Sequence, residues 1–216
     1  MNLDLFDFTA ASSAVEPIGR RSVILRGLAL PDAPQLMQAL AMLESEAPFR
    51  HMATPGGRTM SVALTNCGEW GWVSDSRGYR YTRLDPMTDR PWPAMPAIFA
   101  SLAERAAQAA GFPGFRPDAC LVNRYLPGSR MALHQDRNER DFSAPIVSVS
   151  LGIPAVFLFG GHSRTDRPGR HSLFHGDVVV WGGEDRLRYH GILPLREAHH
   201  PALGAKRINF TLRKAS

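Results

Sequence analysis

The sequence predicts a mainly β protein with flanking helices, an α+β chain built around an antiparallel sandwich or jelly-roll barrel. Three observations lead there. After Gly111, eight short β-rich runs follow in close succession, separated by turns that carry Gly or Pro; such spacing suits antiparallel sheets and not alternating βα units. Before Gly111, two segments show helical periodicity between recognisable start and stop residues. The chain has 216 residues, 44% of them hydrophobic, which is enough for a proper core, and no apolar run reaches the roughly 18 residues of a membrane-crossing helix.

In order, "SVILRGL" at 22–28 reads as a short strand, and Asp32 as the N-cap of a helix through "APQLMQALAMLESEA" that Pro48 stops. "PGG" at 55–57 is a turn, followed by the alternating strand "RTMSVALTN". "GEWGWVSDSRGYRYTRLD" reads as a hairpin with its tip at Asp75 to Gly78. A proline-rich connector, "DRPWPAMP", ends on Pro96, which starts the helix "PAIFASLAERAAQAA", and Gly111 ends it. The eight runs are then "ACLVNRYL", "MALHQD", "APIVSVSLG", "AVFLFG", "HSLF", "DVVVW", "RYHGI" and "RINFTLR".

The 25 basic and 20 acidic residues give a net charge of +5, and Lys206 and Lys214 are the only lysines. An arginine-rich basic balance suits a polyanion such as nucleic acid, although a GC-rich genome produces the same bias. Cys67 and Cys120 are too few for a disulfide scaffold and have no zinc spacing. The N-terminus "MNLDLFDFTAASS" carries acid where a secretory signal carries positive charge. A reducing cytoplasm is the expected compartment.

Chemistry concentrates in "MALHQDRNERD", residues 131–141, where His134 and Asp136 stand two apart at a strand end. Positions i and i+2 of a strand share a face, so the pair chelates a metal if a third ligand arrives; a solvated surface pair is the alternative. In a jelly roll that ligand should come late in the chain, and His190 in "LRYHGI" fits. Two imidazoles and one carboxylate with open positions form the facial triad of non-haem Fe(II) oxygenases. The other histidines are expected in solvent. In "KRINFTLRK", Arg207, Asn209, Thr211 and Arg213 share one face, opposite Ile208, Phe210 and Leu212. Two guanidiniums some 20 Å apart along a strand suit a small dicarboxylate held at both ends; a solvated edge strand fits equally.

Together "NRYLPGSRMALHQD", "APIVSVSLG", "RYHGI" and "RINFTLR", with "TPGGRTMSVALTNCGEWGW", "DPMTDRPWPAMP" and "HGDVVVWGGEDR", resemble the AlkB family of Fe(II)/2-oxoglutarate dioxygenases, in its bacterial form, from about residue 20 to the end. The resemblance implies a double-stranded β-helix core at 93–216, an N-terminal strand-plus-helix extension at 1–44 and a nucleotide-recognition lid at 45–92. It implies Fe(II) on His134, Asp136 and His190. It places one carboxylate of 2-oxoglutarate on Arg207 and Tyr125, and the chelating end on Arg213 and Asn123, with Asn209 in the same pocket. O2 is the second cosubstrate.

The implied reaction is oxidative demethylation of N-alkylated bases such as 1-methyladenine and 3-methylcytosine, in single- or double-stranded DNA with RNA as a second option. It releases succinate, CO2 and formaldehyde. Trp72 would stack the base against His134, with Tyr79, Arg80, Tyr81 and Asn138 beside it and Arg164 at the rim. A monomer that needs no membrane is expected. This chain has Arg137 and Asn138 where the family pattern has lysine and aspartate, which bears on the lesions accepted. Two other readings compete: a dioxygenase acting on a small molecule or protein side chain, and a jelly-roll binding protein with a structural metal.

Overall fold

The structure is a computed structural model and describes residues 14–216. The acidic N-terminal stretch behind the expectation of a non-exported protein lies outside those residues. In chain order the strands and helices are β1 (Val15–Pro17), β2 (Ser22–Leu25), α1 (Ala33–Glu46), β3 (Arg50–Ala53), β4 (Thr59–Gly68), β5 (Gly71–Asp75) and β6 (Gly78–Thr82). Then come β7 (Leu84–Asp85), β8 (Arg90–Pro91), α2 (Ala97–Ala109), β9 (Ala119–Tyr125), β10 (Met131–His134) and β11 (Ile146–Gly152). The chain ends with β12 (Ala155–Phe159), β13 (Gly169–Leu173), β14 (Val178–Trp181), β15 (His190–Ile192) and β16 (Arg207–Arg213).

A main antiparallel sheet runs β1-β2-β14-β11-β16-β9-β4-β3, and a smaller one runs β10-β15-β12-β13. Their facing surfaces enclose Ile24, Ile146, Val179 and Trp181 from the main sheet against Phe157, Phe159, Leu173 and Ile192 from the smaller one. This is the jelly roll. Strands β12 and β15, distant in sequence, pair because the chain crosses between sheets, and the same crossing brings His190 opposite His134.

Both helices cover the outer face of the main sheet. On α1 the buried residues Ala33, Leu36, Leu40 and Leu43 fall at the i, i+3, i+7 spacing of one helical face. On α2, Phe99 sits 4.7 Å from Phe210 of β16, ring centre to ring centre. Asp32 occupies the N-cap position without making a side-chain cap; its carboxylate instead pairs with Arg105 of α2.

Strand β16 lies in the middle of the main sheet, between β11 and β9, and all seven of its residues are buried. The solvated edge strand is thereby excluded. Ile208, Phe210 and Leu212 pack under the helices, so Arg207, Asn209, Thr211 and Arg213 face the barrel interior.

The β5–β6 hairpin turns at Asp75↔Gly78, as expected. It rests on a cluster of its own, Met52, Leu64, Val73, Trp92 and Leu121. Buried Asn66 holds it by both ends of its amide, accepting from the Trp72 N–H at 2.9 Å and donating to the Trp72 carbonyl at 3.0 Å. Gly71 separates the tryptophans because a Cβ there would lie 2.2 Å from the Trp92 ring. Strands β3 and β4, from the 45–92 segment, and β1 and β2, from the N-terminal extension, are all members of the main sheet. The boundaries at 44/45 and 92/93 therefore mark no break in it.

Candidate active site

His134 ends β10, and His190 opens β15 as its cross-strand partner. The strand stops there, so Asp136 comes from the loop that follows and not from a strand face as the sequence suggested. That loop is pinned: Gln135 Nε2 donates to the Leu187 carbonyl at 2.6 Å, and Arg186 donates to the Asp136 carbonyl at 2.7 Å. The Asp136 carboxylate thus lies 3.7 Å from His134 Nε2 and 3.6 Å from His190 Nε2. One ligand atom from each of the three lies within 4.8 Å of the others. Each histidine Nδ1 hydrogen-bonds a backbone carbonyl, Ala132 at 2.8 Å and Arg188 at 3.0 Å. Nδ1 therefore carries the proton and Nε2 keeps its lone pair for a metal.

The charges suit the same task. Burial, and then the neighbouring His190, lower the His134 pKa to about 4. With 38% of the side chain still open, water relieves part of that desolvation, and the direction is what matters: a neutral imidazole at pH 7. Burial alone would raise the Asp136 pKa, but Arg213 and the two histidines outweigh it and hold the carboxyl well below its usual range. Arg213 reaches Asp136 at 2.7 and 3.0 Å, and Glu139 lies 3.5 Å from the same guanidinium.

Arg207 differs. It is 1% exposed and donates from one nitrogen to Ser150 Oγ at 2.8 Å, while Nε and Nη1 have no partner among the described residues. Its guanidinium carbon sits 4.9 Å from the centre of the Tyr125 ring. Among the described residues no carboxylate comes within ion-pair distance. A buried, un-neutralised guanidinium with open donors is costly in isolation, and a ligand carboxylate supplies what it lacks. Two histidines and an aspartate with open coordination positions suit Fe(II), so the donor set fits both the metal and a carboxylate cosubstrate.

The pattern of the 2OG-Fe(II) oxygenase superfamily matches residues 22–213. The alpha-ketoglutarate-dependent dioxygenase AlkB of Salmonella typhimurium is 54% identical over 214 residues, 99% of this chain and 98% of that protein. AlkB of Escherichia coli is 55% identical over 213 residues, again 99% of this chain and 98% of that protein. The solved structure of OsALKBH1 superposes with a TM-score of 0.82 at 26% identity, covering 93% of this chain and 100% of that one.

The chain belongs to the AlkB family of 2OG-Fe(II) oxygenases. Its cofactor is Fe(II), and 2-oxoglutarate is its cosubstrate.

Within this AlkB site, the inward row of the main sheet pairs Tyr125 with Arg207 and Asn123 with Asn209 across β9 and β16. Asn209 has nothing to spare. Its NH2 donates to Ser148 Oγ at 2.8 Å and the Val149 carbonyl at 2.9 Å, while its oxygen accepts from Asn123 at 3.2 Å and Thr211 at 3.1 Å. All four of its hydrogen-bonding positions are filled within the sheet, and its oxygen orients Asn123. Asn123 keeps a buried oxygen without a partner among the described residues. The two arginines of β16 are likewise not equivalent, because Arg213 is already neutralised by carboxylates and Arg207 is not.

On the hairpin, Trp72 stacks on Tyr79 at 5.5 Å and 14°. The ring next to His134 is that of His190, at 4.4 Å. Asn138 tethers this aromatic pair to the loop bearing Asp136, accepting from Trp72 Nε1 and donating to the Tyr79 carbonyl, both at 3.4 Å. Arg80 is tied to Asp75 by two hydrogen bonds of 2.7 and 2.8 Å, which braces the hairpin tip. Arg164 is exposed in the loop after β12. Of the other histidines, His175 is not free in solvent: it stacks on His200 at 4.2 Å and accepts from the Gly152 N–H at 3.0 Å.

Glu139, which the sequence offers only as a carboxylate able to take the place of Asn138 beside the base, and Arg186, which it does not single out, organise this AlkB site. Glu139 is buried and accepts from the Tyr81 hydroxyl at 2.7 Å, with Arg186 at 3.2 Å. Tyr81 also lies 3.4 Å from Arg213. The chain Tyr81–Glu139–Arg213–Asp136 links the hairpin to a metal ligand. Only the burial of Glu139 inside a run of charge signals it, and burial is invisible in the run "RNER". The same contacts deny the Glu139 carboxylate any freedom to turn toward a substrate in place of Asn138.

Proposed function

We propose that this protein is a cytoplasmic, monomeric oxidative demethylase of N-alkylated bases such as 1-methyladenine and 3-methylcytosine in DNA, with RNA as a second substrate. The observation that carries the reading is the Trp72–Tyr79 stack, fastened by Asn138 to the loop that presents Asp136. A small-molecule oxygenase has no use for an aromatic platform that tracks its metal ligands; a base withdrawn from its strand does. The relatives' names agree: the mouse protein is called nucleic acid dioxygenase ALKBH1, and one from Arabidopsis thaliana a DNA N(6)-methyladenine demethylase. No helix of the described residues is long and apolar enough to cross a membrane.

When bound, Fe(II) with 2-oxoglutarate and O2 supplies the oxidant that hydroxylates the N-methyl group, yielding succinate and CO2, and the resulting hemiaminal breaks down to formaldehyde and the free base. The chain's residues do the rest. His134, Asp136 and His190 hold the metal, and Arg213 fixes the Asp136 carboxylate. Arg207, with the Tyr125 hydroxyl, takes the distal carboxylate of 2-oxoglutarate, while Asn123 and Arg213 face its chelating end. The free face of Trp72 receives the base on the side of His134. Tyr79 and Tyr81 border it, with Arg80 bracing the tip of the 45–92 lid and Arg164 at the rim.

Base–aromatic stacking contributes about 1–3 kcal/mol per base. Trp72→Ala is therefore expected to weaken binding to a 3-methylcytosine oligonucleotide by five- to a hundredfold, measured by fluorescence anisotropy. Decarboxylation of 2-oxoglutarate without DNA should persist. Loss of both activities together with the thermal transition would make Trp72 a core residue instead.

Asn138 stands where a carboxylate would favour a cationic lesion. Unit charges 4 Å apart interact by about 1 kcal/mol even in water. Asn138→Asp is thus expected to shift the rate ratio of 3-methylcytosine to neutral ethenoadenine severalfold toward the cation, in paired kinetics. A ratio that stays fixed would remove Asn138 from the base's surroundings.

A further inference from the structure

Beside the base platform lies a second cavity, of about 230 Å³, lined by Trp70, Tyr79, Arg80, Tyr81, Asn138 and Arg140, with Ala215. It shares Tyr79, Tyr81 and Asn138 with the site above, but the metal ligands do not border it. On its wall is Trp70, which bridges to Ala119 of β9 just before the hairpin. Two guanidiniums sit over its ring, Arg83 at 4.7 Å and Arg140 at 5.8 Å from the centroid. Both arginines are exposed, and neither has a carboxylate within ion-pair distance among the described residues. The buried indole N–H of Trp70 has no acceptor either.

Such an arrangement has a specific consequence. An arginine in solvent spreads over many rotamers and loses that freedom on binding an anion. A guanidinium laid on an indole is already held by cation–π attraction, and its in-plane N–H edge stays free for two parallel hydrogen bonds to a phosphate. Two such groups on one ring each present fixed donors to an anionic backbone. Carboxylates that would neutralise them are absent there, whereas Arg80, on the same cavity wall, is already paired with Asp75.

We infer that Arg83 and Arg140, racked on Trp70, form a phosphate clamp for the strand flanking the flipped base, independent of its sequence. The clamp rests on the nucleic-acid reading above and deepens it: it holds the backbone while the Trp72 platform holds the base. It favours a substrate with at least one flanking nucleotide over a free nucleoside.

The test measures binding of a single-stranded 3-methylcytosine oligonucleotide across a salt series, for native protein and variants whose thermal unfolding matches it. Single-strand binding loses about 0.7 in the slope of log K against log salt for each phosphate contact removed. Arg83→Gln with Arg140→Gln is expected to reduce the slope by one to two such steps and affinity at physiological salt by more than tenfold. Arg83→Lys with Arg140→Lys should restore the slope but only part of the affinity. Trp70→Leu, which removes no charge, should also weaken binding, and Trp70→Phe should recover most of it. An unchanged slope in the double glutamine variant, with native protein that binds and turns over the oligonucleotide, overturns the clamp alone. Weakening by the glutamine pair without any effect of Trp70→Leu overturns the rack and leaves only surface charge. Native protein that neither binds nor turns over the oligonucleotide overturns the nucleic-acid reading and the clamp with it.

Discussion

Asp136→Ala is expected to reduce turnover by at least a thousandfold, the largest effect of any single change in this chain. The carboxylate has two functions, of which a neighbour can assume only part of the second. It supplies the one oxygen ligand among the three candidate metal ligands, and it neutralises Arg213 at 2.7 Å in a buried setting. Removing one partner of a buried pair leaves the other charge uncompensated, at a cost of about 3–5 kcal/mol, although Glu139 at 3.5 Å softens that for Arg213. Stability and metal affinity are therefore read separately. Native protein should gain thermal stability on anaerobic addition of Fe(II), because a ligand bound only by the folded state raises its apparent stability, and Asp136→Ala should not. His134→Ala and His190→Ala are expected to lose the same metal response with a smaller change in the unfolding midpoint, since neither leaves a buried charge unpaired. A variant that lacks both His134 and Asp136 yet releases formaldehyde at the native rate would contradict the metal site.

Arg207→Met is expected to act in opposite directions on stability and on cosubstrate use. Arg207 is a buried cation whose Nε and Nη1 meet no acceptor among the described residues, and burial lowers its pKa despite the partial support of Tyr125. Replacing such a group by an apolar one of similar length is neutral or stabilising by roughly 1–4 kcal/mol. The variant should therefore unfold at the native temperature or above it. Losing a charge-assisted pair with the ligand costs about 2–5 kcal/mol, so the apparent requirement for 2-oxoglutarate should rise more than tenfold. Thermal unfolding with and without 2-oxoglutarate separates the two: only the native protein should gain stability from it. A variant with unchanged cosubstrate kinetics would show that the open donors of Arg207 serve something else.

What the sequence made legible is what periodicity and turn chemistry encode. The eight runs after Gly111 all appear as strands, and the β5–β6 hairpin turns where its Asp and Gly placed it. Both helices start and stop close to their Pro and Gly signals. The His-x-Asp pair and the late strand histidine were legible as candidates, and the surrounding family motifs, more than the triplet itself, set them apart from a solvated surface pair. Strands β1, β3, β7 and β8 were not, because these short segments lack the run of apolar β-formers that marked β2 and β14. Nor was the end of β10 before Asp136, which is set by Arg186 and Gln135 bonding across about fifty positions of sequence.

The deepest limit concerns polar residues on a shared face. Arg207, Asn209 and Arg213 look alike at period two, yet the structure makes one un-neutralised, one saturated and one paired with Asp136. Those differences come from Ser148 and Ser150, placed by pairing between distant strands, and from Asp136 and Glu139 in the loop after β10. The filled valences of the Asn209 amide are likewise a property of the sheet and not of its spacing.

The most direct test of the account mixes the protein with Fe(II), 2-oxoglutarate and a 3-methylcytosine oligonucleotide without oxygen, then admits air. Formaldehyde, succinate and the unmodified cytosine are quantified. The account expects no product before air, then formaldehyde and repaired cytosine in equal amounts with succinate at least matching them, and none of the three from Asp136→Ala. Succinate formed without any formaldehyde, in native protein that binds the oligonucleotide and is supplied with methylated DNA and methylated RNA in turn, would contradict it and leave an oxygenase whose substrate is not an alkylated base.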